Sequence, residues 1–257
     1  INKYLNIIRL LHEEAGLANP LQHNVGVKAL LRGVKRDLGN ATTQKLPITP
    51  EILLQIKAKL DLTSLLDCMF WAACLMGFHA MLRKSNMFPP TSSSFDPSKH
   101  CSRNHLKLTE WGLVLSLMWT KTIQYKERVV QCPLVRNGGP LCPVSALIKA
   151  LKMSAEADKG GPLFVYKDKK DNWRPYLYNH FLCKLKKMLS VIGLDSKLYA
   201  GHSLRRGGAT WALRCGVPGE IIKSLGDWSS MAYLQYLDVN CPLKLKYATH
   251  MSGCLPR

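Results

Sequence analysis

Acidic residues are scarce in this sequence, and their scarcity sets the charge of the protein. Only 17 aspartates and glutamates stand against 36 lysines and arginines in 257 residues, a formal net charge of +19 at pH 7. Such a surface attracts polyanions, of which nucleic acid is the first to consider. No acidic cluster suited to two Mg²⁺ ions is evident, which argues against a two-metal nuclease.

The sequence also lacks several signatures of secreted, metal-bound and membrane proteins. None of its nine cysteines forms a C-x-x-C pair, and the pattern predicts reduced thiols in an intracellular protein without a structural metal. The longest uncharged apolar run, 68–78, is too short to span a bilayer, and no signal peptide is visible. The chain begins at Ile1, already in a helical pattern, so we expect a fragment of a longer protein.

What the sequence does contain predicts a folded protein with two parts. Hydrophobic residues make up 47% of the chain, enough for a sizeable core. Residues 1–15 and 25–38 have helical periodicity, and the polar stretch 39–46 is typical of a linker. We therefore expect a small helical piece over 1–45 and a larger domain over 46–257. The basic face of the second helix fits either solvation or contact with a DNA backbone.

The larger domain opens with two predicted helices. Thr49-Pro50 is a helix start with a cap and a proline at the first position. Residues 63–81 are apolar all round, which predicts a helix buried at the centre of the domain. Arg83 follows this helix directly. It either satisfies the last carbonyls of the helix at the surface or leads into a crevice.

Residues 105–134 change to a period of two, which predicts a β-hairpin. One face of its first strand carries Trp111, Leu113, Leu115, Leu117 and Trp119. Lys121 falls next on that inward face, where it is either solvated at the hairpin end or points into an anion site. The predicted turn lies at 124–127 and the return strand at 128–132. Pro143 starts a further helix, which runs to about Met153.

Residues 166–190 mix seven basic residues and two aspartates with aromatic residues. The basic residues suit a DNA backbone. The aromatic residues are better explained as helix core than as platforms for stacked bases.

Residues 200–237 hold most of the chemistry that the sequence suggests. Ser203 is the expected N-cap of a helix, with His202 just outside it and Arg205 in its first turn, where free amides and the helix dipole attract a phosphate. The pair Gly207-Gly208 predicts the close approach of another backbone or of a ligand. One face of this helix is predicted to pack through Leu204, Gly208, Trp211 and Cys215. Pro218 begins the next helix, which ends at Gly226, and a short helix with Tyr233 and Tyr236 on one face follows a turn.

The order of these residues resembles that of the tyrosine recombinases, the lambda-integrase family. The matching set is Arg83, Lys121 in W-T-K-T, His202 and Arg205 in H-S-L-R, Trp228 in L-G-D-W, and Tyr236. The resemblance covers roughly 46–240, and within it the sequence is most similar to recombinases of eukaryotic DIRS/Ngaro- and Crypton-type mobile elements. Two positions depart from the pattern. Asp227 stands where a histidine usually follows Leu-Gly, and Asn86 stands where an acidic residue often lies.

The resemblance implies a mainly α fold with a small antiparallel β-sheet, an α+β catalytic domain preceded by the end of a helical core-binding domain. It also implies strand breakage and rejoining through a 3′-phosphotyrosine, with no metal, cofactor or ATP. Tyr236 would be the nucleophile, with Tyr233 as the alternative on the same face. The roles of the others are implied as follows: Arg83 and Arg205 hold the phosphate, Lys121 is the general acid, His202 assists as base or donor, and Trp228 donates its indole N–H.

The implied partner is double-stranded DNA, bound by a homo-tetramer on two duplexes that exchanges residues 238–257 between protomers. We expect nuclear localisation and no membrane. Three other hypotheses stay open: a silent DNA-binding protein derived from such an enzyme, a type IB topoisomerase, and a basic helical domain in which these residues are only structural.

Overall fold

The computed structural model describes residues 2–38, 44–123 and 127–237, together with the single positions 239, 241, 245, 248 and 249. The chain divides into two compact units, Ile1–Gln44 and Lys45–Arg257. The assignment of the first unit to a core-binding domain stays a prediction. None of the described helices combines the length and the apolar content that a membrane crossing requires.

The first unit contains the two helices that its periodicity predicts. They are α1 (Asn2–Glu14) and α2 (Val25–Asp37). Helix α2 begins after Asn24, whose side-chain oxygen accepts a hydrogen bond from the amide of Val27 at 3.0 Å. No residue of α2 is buried within this structure. Most of the predicted linker, 39–43, lies outside the described residues.

The second unit is mainly helical. Its helices are α3 (Pro50–Lys57), α4 (Leu65–His79), α5 (Lys84–Met87), α6 (Pro143–Met153), α7 (Tyr178–Val191), α8 (His202–Arg214) and α9 (Gly219–Leu225). Its strands are β1 (Leu106–Thr109), β2 (Gly112–Leu117), β3 (Val130–Val135), β4 (Val165–Lys167) and β5 (Trp173–Pro175). Short 3₁₀ helices lie at Arg103–His105, Ser196–Leu198 and Met231–Tyr236. The predicted fold class is confirmed.

Helix α4 is the centre of the core, as its uniform hydrophobicity predicts. The residues from Cys68 to Phe78 are all buried. Helices α6 and α8 both pack against α4. The chain leaves α4 through Met81, which has a φ of +48°, a costly conformation for a long side chain. This turn delivers Arg83 and the short helix α5 to the edge of the core.

A three-stranded antiparallel sheet in the order β1-β2-β3 contains the predicted hairpin. Leu113, Leu115 and Leu117 are buried on one face of β2, as the period of two predicts. Three details of the prediction are wrong. The sheet has a first strand, β1, and the return strand begins at Val130. Both tryptophans of the predicted face lie outside β2: Trp111 precedes it with 45% of its surface exposed, and Trp119 follows it and is half-buried. Residues 124–126 of the predicted turn lie outside the described residues.

The basic and aromatic stretch forms the β4-β5 hairpin and helix α7. Tyr176 and Phe181 are buried, and the ring of Phe181 stacks on that of Phe88 at 4.9 Å between centroids. These two aromatic side chains are therefore core residues. Tyr166 and Trp173 on the hairpin are half-buried.

Helix α8 lies against the backbone of two other segments, because two glycines allow it. A methyl group on Gly208 would stand 2.0 Å from the carbonyl oxygen of Phe78 in α4, and one on Gly207 would stand 1.9 Å from that of Ile48. The predicted close approach is therefore that of backbone. The predicted packing face is wrong at Trp211 and Cys215, which are exposed.

Candidate active site

Arg205 is the most deeply buried cation of the predicted set, with 2% of its surface exposed. Its Nη1 donates to the carbonyl of Met81, and its Nη2 donates to the carbonyl of Gly226 at 2.6 Å. Burial, followed by the nearby charge of Arg83, lowers the pKa of Arg205, although a guanidinium stays protonated at neutral pH. Its Nε is buried without a hydrogen-bond partner among the described residues.

Arg83 lies beside Arg205 and is held in the same way. Its Nη2 donates to the carbonyl of Asp227 at 2.8 Å, the carbonyl next to the one that Arg205 binds. Its Nη1 lies 3.3 Å from a carboxylate oxygen of the same aspartate. The two arginines that sequence reasoning selected, 122 positions apart, therefore bind consecutive carbonyls at the end of α9.

Trp228 and Tyr236 cover the guanidinium of Arg205. The carbon of that guanidinium lies 3.8 Å from the ring centroid of Trp228 and 5.4 Å from that of Tyr236, and the two rings are 5.1 Å apart. The indole ring fits here because Gly226 has no side chain, since a methyl group there would overlap it.

The two candidate tyrosines differ in their surroundings. Both lie on the 3₁₀ helix Met231–Tyr236, where residues three apart share a face. Tyr233 is buried, and its hydroxyl lies 2.7 Å from the position that a Cβ on Gly219 would take, so it packs on the start of α9. Tyr236 is half-buried and lies beside Arg205. Its carbonyl accepts a hydrogen bond from Thr210 of α8 at 3.2 Å.

His202 is the first residue of α8, and its side chain is exposed. The pKa of its imidazole is lowered by partial desolvation and by the positive charges of Arg205, Lys84 and Arg83. The prediction that Ser203 is the N-cap is wrong. Gly201 precedes the helix, and the hydroxyl of Ser203 accepts a hydrogen bond from the amide of Ala200 at 3.0 Å within the first turn.

Lys121 lies at the end of the sheet on a tight turn, and its side chain is exposed. The amides and carbonyls of Thr120 and Ile123 pair in both directions at 3.1 Å, so Lys121 and Thr122 are the two residues of the turn. The inward orientation that strand alternation suggested is therefore wrong, because the strand ends before this residue. Asn86 binds the same region, since its side-chain amide donates to the carbonyl of Trp119 at 2.8 Å.

Asp227 connects this turn to the arginines, and sequence reasoning noted it only as a departure from a pattern. Its carboxylate accepts hydrogen bonds from Thr120 at 2.5 Å, from Thr122, and from Arg128 at 2.6 Å. Burial alone would raise the pKa of this carboxyl group, but the bonds from Thr120, Thr122 and Arg128 outweigh burial and lower it. A lone acidic residue after a helix-ending glycine, in so basic a chain, is the signal that could have found it.

The structure brings two fixed guanidinium groups and the phenol of Tyr236 together, and the imidazole of His202 is close enough for both arginines to lower its pKa. Lys121 is connected to this group through its neighbours Thr120 and Thr122, which bind Asp227. Guanidinium pairs bind the oxygens of a phosphate ester and stabilise negative charge that develops on it. Among the described residues, no group of three or more His, Cys, Asp or Glu is placed to hold a metal ion. The residues that are brought together are suited to nucleophilic displacement at phosphorus.

Comparison with known proteins agrees with this fold. The chain is similar to the XerA recombinase, with a TM-score of 0.55 and 16% identity over 100% of this chain and 82% of that one. It is also similar to the XerH site-specific recombinase, solved with its palindromic difH substrate, with a TM-score of 0.55 and 12% identity over 81% of this chain and 54% of that one. The fold is that of the catalytic domain of tyrosine recombinases.

A curated sequence adds to this likeness. The chain is 27% identical over 201 residues to an integrase/recombinase xerD homolog of Selenomonas ruminantium, which covers 77% of this chain and 54% of that protein. The chain thus spans about half the length of the curated relative it matches. No protein-family model matches the chain. The sequence comparison and the fold comparison thus both point to recombinases as the proteins that this chain is similar to.

Proposed function

We propose that this protein is a site-specific DNA recombinase that breaks and rejoins strands through a covalent 3′-phosphotyrosine. One observation carries the proposal: Arg83 and Arg205 are fixed on consecutive carbonyls, and the phenol ring of Tyr236 lies next to the second of them. A net charge of +19 and the likeness to recombinases solved with DNA support double-stranded DNA as the partner.

The proposed chemistry assigns one role to each residue. The oxygen of Tyr236 attacks the scissile phosphorus, and the bond from phosphorus to the 5′ oxygen breaks. His202 accepts the phenolic proton, and Lys121 gives a proton to the departing 5′ oxygen. Arg83 and Arg205 bind the non-bridging oxygens of the transition state. Rejoining is the reverse, with a 5′-hydroxyl of the partner duplex as the nucleophile, so no external energy source is needed.

The surroundings of the two tyrosines favour Tyr236 as the nucleophile. Tyr233 is buried, and its hydroxyl packs against Gly219 at the start of α9. Tyr236 has its ring beside the guanidinium of Arg205 and beside the indole of Trp228. Trp228 would support the tyrosine segment and donate its N–H near the phosphate.

The direct test is the capture of a covalent adduct. The protein is incubated with a pool of nicked duplexes that have a randomised core, so that cleavage releases a short strand and traps the product. We expect an adduct that survives denaturation with the wild type and with Tyr233→Phe, and none with Tyr236→Phe. An adduct that is lost with Tyr233→Phe and kept with Tyr236→Phe would move the nucleophile, and its absence with the wild type would contradict strand cleavage.

We also propose that the protein comes from a eukaryotic DIRS/Ngaro- or Crypton-type mobile element and acts in the nucleus as a tetramer on two duplexes. The sequence of 202–237 supports this origin. The buried free thiols among the described residues support an intracellular setting. Residues 238–257, which lie largely outside the described residues, would be exchanged between protomers. Deletion of 238–257 should abolish tetramers on DNA in sedimentation while single-duplex binding persists. Tetramers that survive the deletion would contradict the exchange.

A further inference from the structure

Asp227 is a buried carboxylate at the meeting point of two parts of the candidate site, with 6% of its surface exposed. One oxygen accepts from Arg128 at 2.6 Å, and the other accepts from Thr120 and Thr122. The second oxygen also lies 3.3 Å from Nη1 of Arg83, the longest of the four contacts. The shortest contacts of the carboxylate therefore go to the hairpin.

Two of the hairpin contacts of Asp227 come from the residues on either side of Lys121 in the sequence. Thr120 and Thr122 are its immediate neighbours, and the turn that contains it consists of two residues closed by paired backbone bonds. The two residues that close the turn, Thr120 and Ile123, are each 1% exposed, whereas Lys121 between them is exposed. Here two hydroxyl groups, one before and one after the lysine, bind the same carboxylate oxygen.

The backbone of Asp227 fixes the other side of this connection. Its φ is +52°, and its amide donates to the carbonyl of Ser224 at 3.0 Å, so it closes the end of α9. Its own carbonyl accepts from Nη2 of Arg83 at 2.8 Å. The left-handed conformation is tolerated best by glycine, asparagine and aspartate, so the residue type suits this position.

The carboxylate has a second conceivable role, as a stand-in for the phosphate that Arg83 would bind. The contacts decide against this role. Displacement of Asp227 by a phosphate would break its bonds to Thr120, Thr122 and Arg128, whereas the bond it would release from Arg83 is the weakest. Buried charge-assisted bonds of this kind are costly to break.

We propose that Asp227 is a positioning residue, which ties the turn that contains Lys121 to Arg83 and so places the general acid at the scissile phosphate. This inference rests on the proposed function. In this chain Asn86 holds the carbonyl of Trp119 on the strand side of the turn, and Asp227 holds the turn itself from the α9 side. The carboxyl group is ionised at neutral pH, because the hydrogen bonds of Thr120, Thr122 and Arg128 outweigh burial and lower its pKa.

The test uses a leaving group that needs no proton. A duplex with sulfur in place of the bridging 5′ oxygen at the scissile phosphate releases a thiolate, and thiols have a pKa of about 8.5. Asp227→Asn keeps the shape and the left-handed backbone and removes the charge. We expect it to slow adduct formation on the ordinary duplex by roughly 10²-fold, within the range of a lost general acid, and by less than about fivefold on the sulfur duplex.

Matched variants separate this effect from others. Lys121→Ala should show the same recovery on the sulfur duplex, whereas Arg205→Ala should be slow on both duplexes. Asp171→Asn is the control for the substitution itself, because Asp171 also has a positive φ, of +61°, but is exposed and far along the chain in the β4-β5 hairpin. It should change neither rate. Thr122→Val removes one hairpin contact without touching Arg83 and should give a smaller loss that the sulfur duplex also restores.

The outcomes distinguish the inference from the function on which it rests. Equal slowing of Asp227→Asn on both duplexes, with Lys121→Ala restored by sulfur, would overturn the positioning role and assign the effect to Arg83. If Lys121→Ala is not restored either, the general-acid role in the proposed function fails. Thermal unfolding and DNA binding of each variant are measured alongside. If Asp227→Asn does not fold, the substrate dependence of Thr122→Val decides.

Discussion

The two sides of the candidate site are built in contrasting ways. On one side, Arg205 is buried in α8, covered by Trp228 and bound to carbonyls from two other segments. On the other side, Lys121 is exposed on a two-residue turn. The first side is part of the core. On the second side only Lys121 itself is exposed, because Thr120 and Ile123 of its turn are buried and Thr120 and Thr122 bind the carboxylate of Asp227.

This difference corresponds to the two tasks that the proposed chemistry sets. Charge stabilisation is most effective when its donors are fixed before the reaction, which burial and backbone contacts achieve. Proton delivery needs a group that reaches the leaving oxygen and then regains a proton from solvent. An exposed lysine on a turn of fixed position can do both. We therefore expect substitution of Arg205 to affect both stability and rate, and substitution of Lys121 to affect rate alone.

The largest expected effect follows from Arg205→Lys. A lysine cannot reach two carbonyls and a phosphate together, because it lacks the planar fork of donors. We expect adduct formation to fall by about 10²–10³-fold, as for other lost transition-state donors. Gel quantification of the adduct on the nicked duplex measures this, and a rate within tenfold of the wild type would remove the contrast between the two sides.

Gly208→Ala should displace α8, the helix that carries Arg205, without replacing any functional group. The added methyl group would overlap the carbonyl oxygen of Phe78, so α8 must shift away from α4. We expect a loss of about 1–3 kcal/mol in the free energy of unfolding, as for overpacked cores. Gly33→Ala in α2, where nothing lies within 4 Å, is the control and should stabilise slightly by helix propensity. Equal denaturation midpoints for the two variants would contradict the close approach.

Acid should slow adduct formation through His202, which lies on the same side as Arg205. Residues 106–135 of the hairpin region contain no histidine. The pKa of His202 is lowered, so the ring is neutral at pH 7 and gains a proton only as the pH falls through a value below 6.5. The adduct rate should therefore stay level from pH 7.5 to 6.5 and decline severalfold below it. His202→Asn should be slow but flat over this range, with His12→Asn as the unaffected control. A decline that persists in His202→Asn would assign the titration to another group.

Lys121→Met should have the smallest effect on stability. The side chain is exposed, and such substitutions change the free energy of unfolding by less than about 0.5 kcal/mol. Urea denaturation measures this, and the same variant should still be strongly impaired in adduct formation. A marked loss of stability would show that the Lys121 side chain itself contributes to the packing of the domain, contrary to the comparison.

Local rules predicted the elements well. The cap at Thr49, the helix Pro143–Met153 and the buried helix α4 follow from residues that lie within a few positions of each other. The prediction that Gly207-Gly208 admits a close neighbour is correct for the same kind of reason, since paired glycines in a helix need one. The resemblance supplied the set that includes Arg83, Arg205 and Tyr236, and the structure brings these three together.

Long-range contacts could not be predicted in the same way. The bonds from Thr120 and Thr122 to Asp227 join residues more than 100 positions apart, and alternation along β2 extrapolated Lys121 to the wrong face because the strand ends four residues earlier. Serine is a residue type that favours N-caps, but the hydroxyl of Ser203 accepts a hydrogen bond from the amide of Ala200 and does not cap the helix. Local sequence therefore predicts secondary structure and candidate polar residues, whereas the partners of those residues depend on tertiary packing.

The seat of Arg205 is completed by the carbonyl of Gly226, 21 residues further along the chain, and by that of Met81, 124 residues before it. During synthesis, α8 leaves the ribosome before α9 does. At that stage Arg205 has the carbonyl of Met81 available but not that of Gly226. The phosphate-binding form of Arg205 is therefore completed only after α9 has left the ribosome.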